Sequence, residues 1–286
     1  MKDAAAQLDP GTTMGAVRLR VSDLDAIAGF YERTIGLEPL GRGDSAATLG
    51  AGGKALVELV GDPVAPQRPP RSTGLFHLAL LVEDRARLAK ALRRVSETGW
   101  GLTGASDHLV SEALYTQDPE GNGIEIYRDR PREQWGRQDG NLQMDTLPLD
   151  LADLLGEEDP GEPAGMGPGT RMGHVHLNVA DIGEAETFYS GVLGFDVTVR
   201  GYPGALFVSA GGYHHHLGLN TWNGEGAPPP PQGSRGLDRY EIVVPDAAGV
   251  DAIAARLGEA GAESAREDGT LRFADPFANT IVARTA

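Results

Sequence analysis

Seven histidines are present, and they fall in only two of the four similar units into which the chain can be divided. His77 and His108 stand in the second unit, His174, His176, His214, His215 and His216 in the third, and the first and fourth have none. Imidazole is the side chain most used to bind metals and to move protons near neutral pH, so this clustering points to one shared polar site. Two imidazoles and one carboxylate form a facial set that leaves three positions open on a divalent iron, enough for a bidentate substrate and dioxygen together. His77, in FHLALLV, and Glu125, in GIEIY, supply one imidazole and the carboxylate. The second imidazole is expected from the first strand of an adjoining unit. In the first half that position is Ala16; in the second half it is His174, but there Arg239 and Val282 replace His77 and Glu125. Neither half is complete alone, and only the second and third units together supply His77, Glu125 and His174.

These side chains need strands to aim them, and the chain supplies strands in a repeated pattern. The stretch from Met14, MGAVRLRVSDLDAIAGFYERTIGLEPL, matches the stretch from Met172, MGHVHLNVADIGEAETFYSGVLGFDVT, without a gap at an offset of 158 residues. Alternation in VRLRV and VHLNV predicts half-buried strands, Asp23 and Asp181 predict helix caps, and Gly36 and Gly194 predict helix stops. AATLGAGGKALVELV and ALFVSAGGYHHHLGL each predict two strands joined by a glycine turn, without the strand-to-helix context of a phosphate-binding loop. A further strand, a helix such as RARLAKALRRVSETG and paired strands around Asp118-Pro119 or Asp275-Pro276 complete each half. The expected fold is α+β, with four βαβββ modules. The expected domains are residues 14–130 and 171–286, with 131–170 a Pro-, Gly- and acid-rich linker carrying a short helix in LDLADLLGEE. Pro228 to Pro231 reads as a stiffened loop. Strand alternation places His174 and His176 on one face and sets His215 opposite His214 and His216.

Composition narrows the function classes. The 25 Lys+Arg against 41 Asp+Glu give a net charge of −16, a field that repels phosphate backbones and anionic lipid, so neither nucleic acid nor a membrane is an expected partner. No apolar run is long enough to cross a bilayer. Without cysteine there is no disulfide framework, thiolate ligand or cysteine nucleophile. The start MKDAAAQLDPGTT lacks the apolar core of a signal peptide, and the expected location is the cytoplasm.

The βαβββ repeats resemble the vicinal oxygen chelate superfamily, whose fold implies two domains with U-shaped mixed sheets. Within it, SDHLVSEALYTQDPEGNGIE resembles the signature of extradiol ring-cleaving dioxygenases, filled here by His108, Leu114, Tyr115, Asp118, Pro119, Gly121 and Glu125. The whole chain is similar to the two-domain bacterial catechol 2,3-dioxygenases, in which GYHHHLGLNTW is a familiar segment. One departure is that the signature sits in the second module, whereas many extradiol enzymes draw all ligands from the third and fourth. The resemblance implies Fe(II), with Mn(II) the alternative, held by His77, His174 and Glu125. It implies that His108 and Tyr115 hydrogen-bond oxygens of the reactants and that His215 serves as acid and base, with His216 ranked second. His176, His216 and Trp222 would line the pocket. The implied reaction opens the ring of a small aromatic diol with O2 to give a semialdehyde, and homologues of this shape often form homo-oligomers. Two other classes share the scaffold: metal-dependent glyoxalases or isomerases, and metal-free binding or resistance proteins. Iron content and oxygen uptake with catechol separate the three.

Overall fold

The computed structural model describes residues 7–138 and 141–286. The first module comprises β1 (Thr13–Val21), α1 (Leu24–Phe30), β2 (Glu38–Arg42), β3 (Ala46–Ala51) and β4 (Lys54–Gly61). The second comprises β5 (Gly74–Leu81), α2 (Arg85–Glu97), β6 (Gly104–Asp107), β7 (Ser111–Gln117) and β8 (Gly123–Asp129). Short strands β9 (Arg137–Gln138), β10 (Asn141–Leu142) and β11 (Leu147–Pro148) and helix α3 (Leu151–Leu155) follow. The third module is β12 (Arg171–Asn178), α4 (Ile182–Glu186), β13 (Asp196–Val199), β14 (Ala205–Ser209) and β15 (Leu217–Asn220). The fourth is β16 (Gly236–Val244), α5 (Ala247–Glu259), β17 (Ser264–Glu267), β18 (Thr270–Ala274) and β19 (Thr280–Thr285). The α+β class and the fourfold βαβββ pattern are those expected. Among the described residues no helix is long and apolar enough to cross a membrane.

Each module starts its helix with the same device. Asp23, Asp84, Asp181 and Asp246 are extended N-caps whose carboxylates accept from the N–H of Ala26, Arg87, Glu184 and Gly249 at 2.7–3.0 Å, satisfying a donor that helix geometry leaves unpaired. In the first and third modules the helix continues into a wider π-helical turn, Tyr31–Ile35 and Thr187–Val192. Gly36 and Gly194 then turn the chain with φ of 89° and 92°, the left-handed region that favours glycine. The wider turns bury Tyr31 and Tyr189. Tyr189 donates to Asp275 Oδ2 at 2.7 Å, while burial and then the charge of Asp118 push the Tyr31 phenol well above its ordinary pKa.

The eight-stranded sheet has the order β17, β18, β19, β16, β1, β4, β3, β2, and the nine-stranded sheet has the order β11, β6, β7, β8, β5, β12, β15, β14, β13. Hairpin neighbours are antiparallel, whereas β5/β8, β12/β15 and β16/β19 are parallel, so both sheets are mixed.

Internal packing distinguishes two compact units. One contains residues 18–65 and 77–173; Ile27, Leu49, Leu59 and Leu78 are wholly buried in it, each burial contributing about 1.5–3 kcal/mol before entropy costs. Helix α2 buries Leu88, Ala89, Leu92 and Val95 and turns a basic face to the segment expected as a linker. Arg85 meets Asp153 and Glu157 at 2.7 Å, Lys90 meets Asp159 at 3.2 Å, and Arg94 donates to the Gly165 carbonyl at 2.9 Å. Residues 153–165 of that segment therefore lie bound along the helix, and the expected short helix is α3. The other unit contains the described residues up to Val17 with 66–76 and 174–286; its core includes Tyr189, Phe195, Val208, Leu219, Tyr240 and Ile281.

Candidate metal centre

The parallel pairing of β5 with β8 sets Ala79 beside Glu125 and His77 beside Gly123. Residues 77 and 79 share a face by alternation, and register partners share a face, so His77 and Glu125 project on the same side. His77 Nε2 lies 3.0 Å from Glu125 Oε2, with both side chains buried. Strands β8, β5 and β12 are consecutive in the nine-stranded sheet, and β12 carries His174, which is 1% exposed. His77, Glu125 and His174 each offer one ligand atom, and these atoms all lie within 4.8 Å of one another. Ligands roughly 2.1 Å from an ion and about 90° apart would lie about 3 Å from each other. The spacing and the mixed imidazole–carboxylate chemistry therefore fit a divalent cation, which would also compensate the cost of burying a carboxylate.

Tyr115 is the cross-strand partner of Glu125 in the antiparallel β7–β8 pair, and its ring centroid is 5.7 Å from that of His77. His108 follows β6 in a tight turn, with Nδ1 2.8 Å from the Asp145 carbonyl and Nε2 2.6 Å from the Tyr115 hydroxyl. A carbonyl only accepts, so Nδ1 carries the hydrogen; in the neutral ring Nε2 then accepts from the tyrosine. A backbone carbonyl has no residue-type signature, and the part of Asp145 could not be read from the sequence.

The histidine triplet departs from the expected strand alternation. Gly211 and Gly212, with φ of 62° and 67°, begin a connection that reaches Leu217 before β15 starts, so residues 214–216 are not on a strand. His214 and His215 turn toward each other, their Nδ1 atoms 2.7 Å apart, an approach in which one donates and the other accepts. The His215 ring lies 4.1 Å from that of His174, and Phe207 lies 5.0 Å from His215. His216 packs near Tyr213 and Phe195, and its Nδ1 accepts from the Ala210 N–H at 3.1 Å. His176 lies among Phe76, Phe207 and Trp222, at 5.2, 5.8 and 5.3 Å between ring centroids. Gly218, its register partner on β15, is the residue that leaves space for that imidazole: a Cβ there would stand 2.8 Å from the ring. The structure thus brings together His77, Glu125 and His174, pairs His108 with Tyr115, and sets His215 beside His174. Sequence reading missed Phe207 and gave His214, one of the triplet, no role of its own; the irregular connection is what brings both beside His215.

The fold and the donor set define a class of protein with paired βαβββ modules and a potential metal centre on curled mixed sheets. The chain belongs to the glyoxalase/bleomycin resistance protein/dioxygenase superfamily, whose family model matches residues 13–126 and 171–282. It is 44% identical over 276 residues to a catechol-2,3-dioxygenase of Bacillus subtilis (strain 168), covering 95% of this chain and 96% of that one. It is 30% identical over 117 residues to a trivalent organoarsenical cleaving enzyme of Thermomonospora curvata, covering 38% of this chain and 72% of that one. The structure of glyoxalase I from Zea mays shares the fold with a TM-score of 0.59 at 19% identity, covering 96% of this chain and 92% of that chain.

Proposed function

We propose that the chain is an extradiol dioxygenase that opens the ring of catechol-type substrates with O2, using Fe(II) held by His77, Glu125 and His174. The convergence of these three buried side chains carries the reading, supported by the near full-length similarity to a catechol-2,3-dioxygenase. A bound Fe(II) would supply redox chemistry and open coordination positions for a chelating diol and for dioxygen; Mn(II) is the alternative occupant. His215, beside His174, would take a proton from a diol hydroxyl at a ring nitrogen and return it later in the reaction. Tyr115, whose proton goes to His108, would offer its hydroxyl oxygen as an acceptor to a diol hydroxyl. Phe207, His176 and Trp222 would border the ring and limit water. His216, whose ring packs by Tyr213 and Phe195 while His215 stands beside His174, is the less suitable proton carrier of the pair. The acidic, cysteine-free composition fits a cytoplasmic enzyme, and self-association is part of the proposal because homologues of this shape often form homo-oligomers.

Anaerobic reconstitution with Fe(II), followed by oxygen uptake and near-visible absorbance with a panel of catechols, tests this reading. Iron binding with uptake and a coloured ring-opened product is expected. Binding of another metal without uptake would favour an isomerase-type enzyme, and failure to bind any metal would favour a binding protein.

A further inference from the structure

Four residues beyond His174 on β12, the same strand face ends in Asn178, about 13 Å farther along at a strand's usual rise. Its register partner on β15 is Asn220, and the two are 2% and 0% exposed. Asn220 Oδ1 accepts from the Trp222 N–H at 3.0 Å, which leaves Nδ2 without a partner among the described residues. Asn178 Nδ2 approaches the Leu75 carbonyl at 3.5 Å, while Oδ1 likewise has no partner among the described residues. The same carbonyl accepts from Arg68 Nη1 at 2.7 Å, so a guanidinium converges with the asparagine on one atom. Burial lowers the pKa of Arg68, and among the described residues no carboxylate offsets it, although the chain carries an excess of acids. The fold does not require these residues: the corresponding positions of the first module are Arg20 and Val60. Buried polar groups are normally paired, and such unmet capacity beside an uncompensated cation calls for an explanation. Between His174 and Asn178, His176 is flanked by Phe76 and Trp222, both partly exposed at 40% and 47%.

We infer that Arg68 and Asn220 form a subsite for a carboxylate carried on a short chain of the substrate ring, with His176, Phe76 and Trp222 bordering the path to it. This rests on the proposed ring-cleaving function and narrows its substrate class to dihydroxyphenyl-alkanoates. Arg68 supplies the charge and Asn220 Nδ2 a second donor. Asn178 Oδ1 is left for a donor on the same chain. Recognition by a built polar site rejects analogues that leave its groups unpaired.

The test is calorimetric binding of 3-(3,4-dihydroxyphenyl)propionate, its methyl ester and catechol, performed anaerobically on the metal-free and the Fe(II)-loaded chain. The acid is expected to bind at least about tenfold more tightly than its ester, a preference that falls to within about twofold in Arg68→Gln and is reduced in Asn220→Leu. Equal binding of acid and ester by the unmutated chain would overturn the subsite, since the amides would then be satisfied by water; so would a preference that survives Arg68→Gln. The comparison within the unmutated chain decides even if a variant does not fold. Preferential binding of the acid without oxygen uptake by the iron-loaded chain would support the subsite while refuting the dioxygenase.

Discussion

Tyr115 and Glu125 face each other directly across the β7–β8 hairpin. Their ten-residue separation therefore spans the end of the hairpin, with two further strand pairs and a turn of residues 118–122 between them. Asp118 closes that turn: its N–H donates to the Asn122 carbonyl at 2.9 Å, and its carboxylate accepts from the N–H groups of Glu120 and Asn122 and from Asn122 Nδ2 at 2.8–2.9 Å. The fourth module repeats the arrangement with Asp275 and Asn279 although Val282 stands in place of Glu125. The Asp-Pro turn is thus a structural device of the repeat, which in the second module also sets a tyrosine against a candidate ligand.

The bond between Tyr115 and His108 should contribute to turnover without holding metal. Tyr115→Phe removes the hydroxyl that donates to His108 Nε2 and keeps the ring beside His77. The expected outcome is a fall in kcat of about 10- to 100-fold with the iron content unchanged. Parallel metal analysis and steady-state oxygen uptake check it; loss of iron in proportion to activity would assign Tyr115 to holding the centre.

Removal of a ligand should act on metal and stability together. In His174→Ala and Glu125→Gln the set of three loses one donor, and metal affinity should fall by at least about 100-fold. The unmutated chain should also gain thermal stability when Fe(II) is added anaerobically, because a ligand that binds only the folded state stabilises it by mass action. Melting with and without metal measures both effects, and a variant that retained the full metal-induced rise in Tm would exclude that residue as a ligand.

Much of this arrangement was legible because it depends on short periods and residue types. Aspartates before the helices identify caps, and the alternation in FHLALLV and GIEIY gives His77 and Glu125 each a defined sheet face, which the β5–β8 register then makes the same one. The π-helical turns at Tyr31 and Thr187 were not legible, since wider hydrogen bonding leaves no distinctive apolar period. The histidine triplet was misread as strand because YHHHLGL continues directly into β15, and only the backbone after Gly211 and Gly212 breaks the alternation. The acids of residues 153–159 looked like solvated linker charge until the basic face of α2 was placed against them. Arg68 and Asn220 carried no signal, because the Leu75 carbonyl that Arg68 and Asn178 share and the strand register that sets Asn178 beside Asn220 are not local in sequence.

Asp118 should give stability a defined pH dependence. Burial pushes its carboxyl up to about 6, against the hydrogen bonds from Asn122 and Glu120 that pull it down, compared with about 3.9 in an unfolded chain. The folded state therefore binds this proton more tightly. The corresponding stabilisation is present below about pH 4 and is lost as pH rises through about 6. Relative to D118N, which retains an acceptor for the turn, the unmutated chain should lose about 2–3 kcal/mol of unfolding free energy between pH 4 and 7. Urea unfolding at a series of pH values measures the difference; parallel curves would mean that the carboxyl stays ionised throughout.

Gly218 offers a test of how closely the third module is fitted around His176. A methyl group at this position would stand 2.8 Å from the Cγ and Nδ1 atoms of that imidazole, and the ring cannot retreat freely because Phe76, Phe207 and Trp222 surround it. Overpacking of this kind costs about 1–3 kcal/mol. Gly218→Ala should therefore lower stability by that amount and weaken catechol binding, while iron affinity changes little because His77, Glu125 and His174 are untouched. Pairing it with His176→Ala separates the causes: if the methyl acts through the imidazole, removing the ring should restore most of the lost stability in the double variant. Simple addition of the two penalties would place the strain in the backbone of β15 instead.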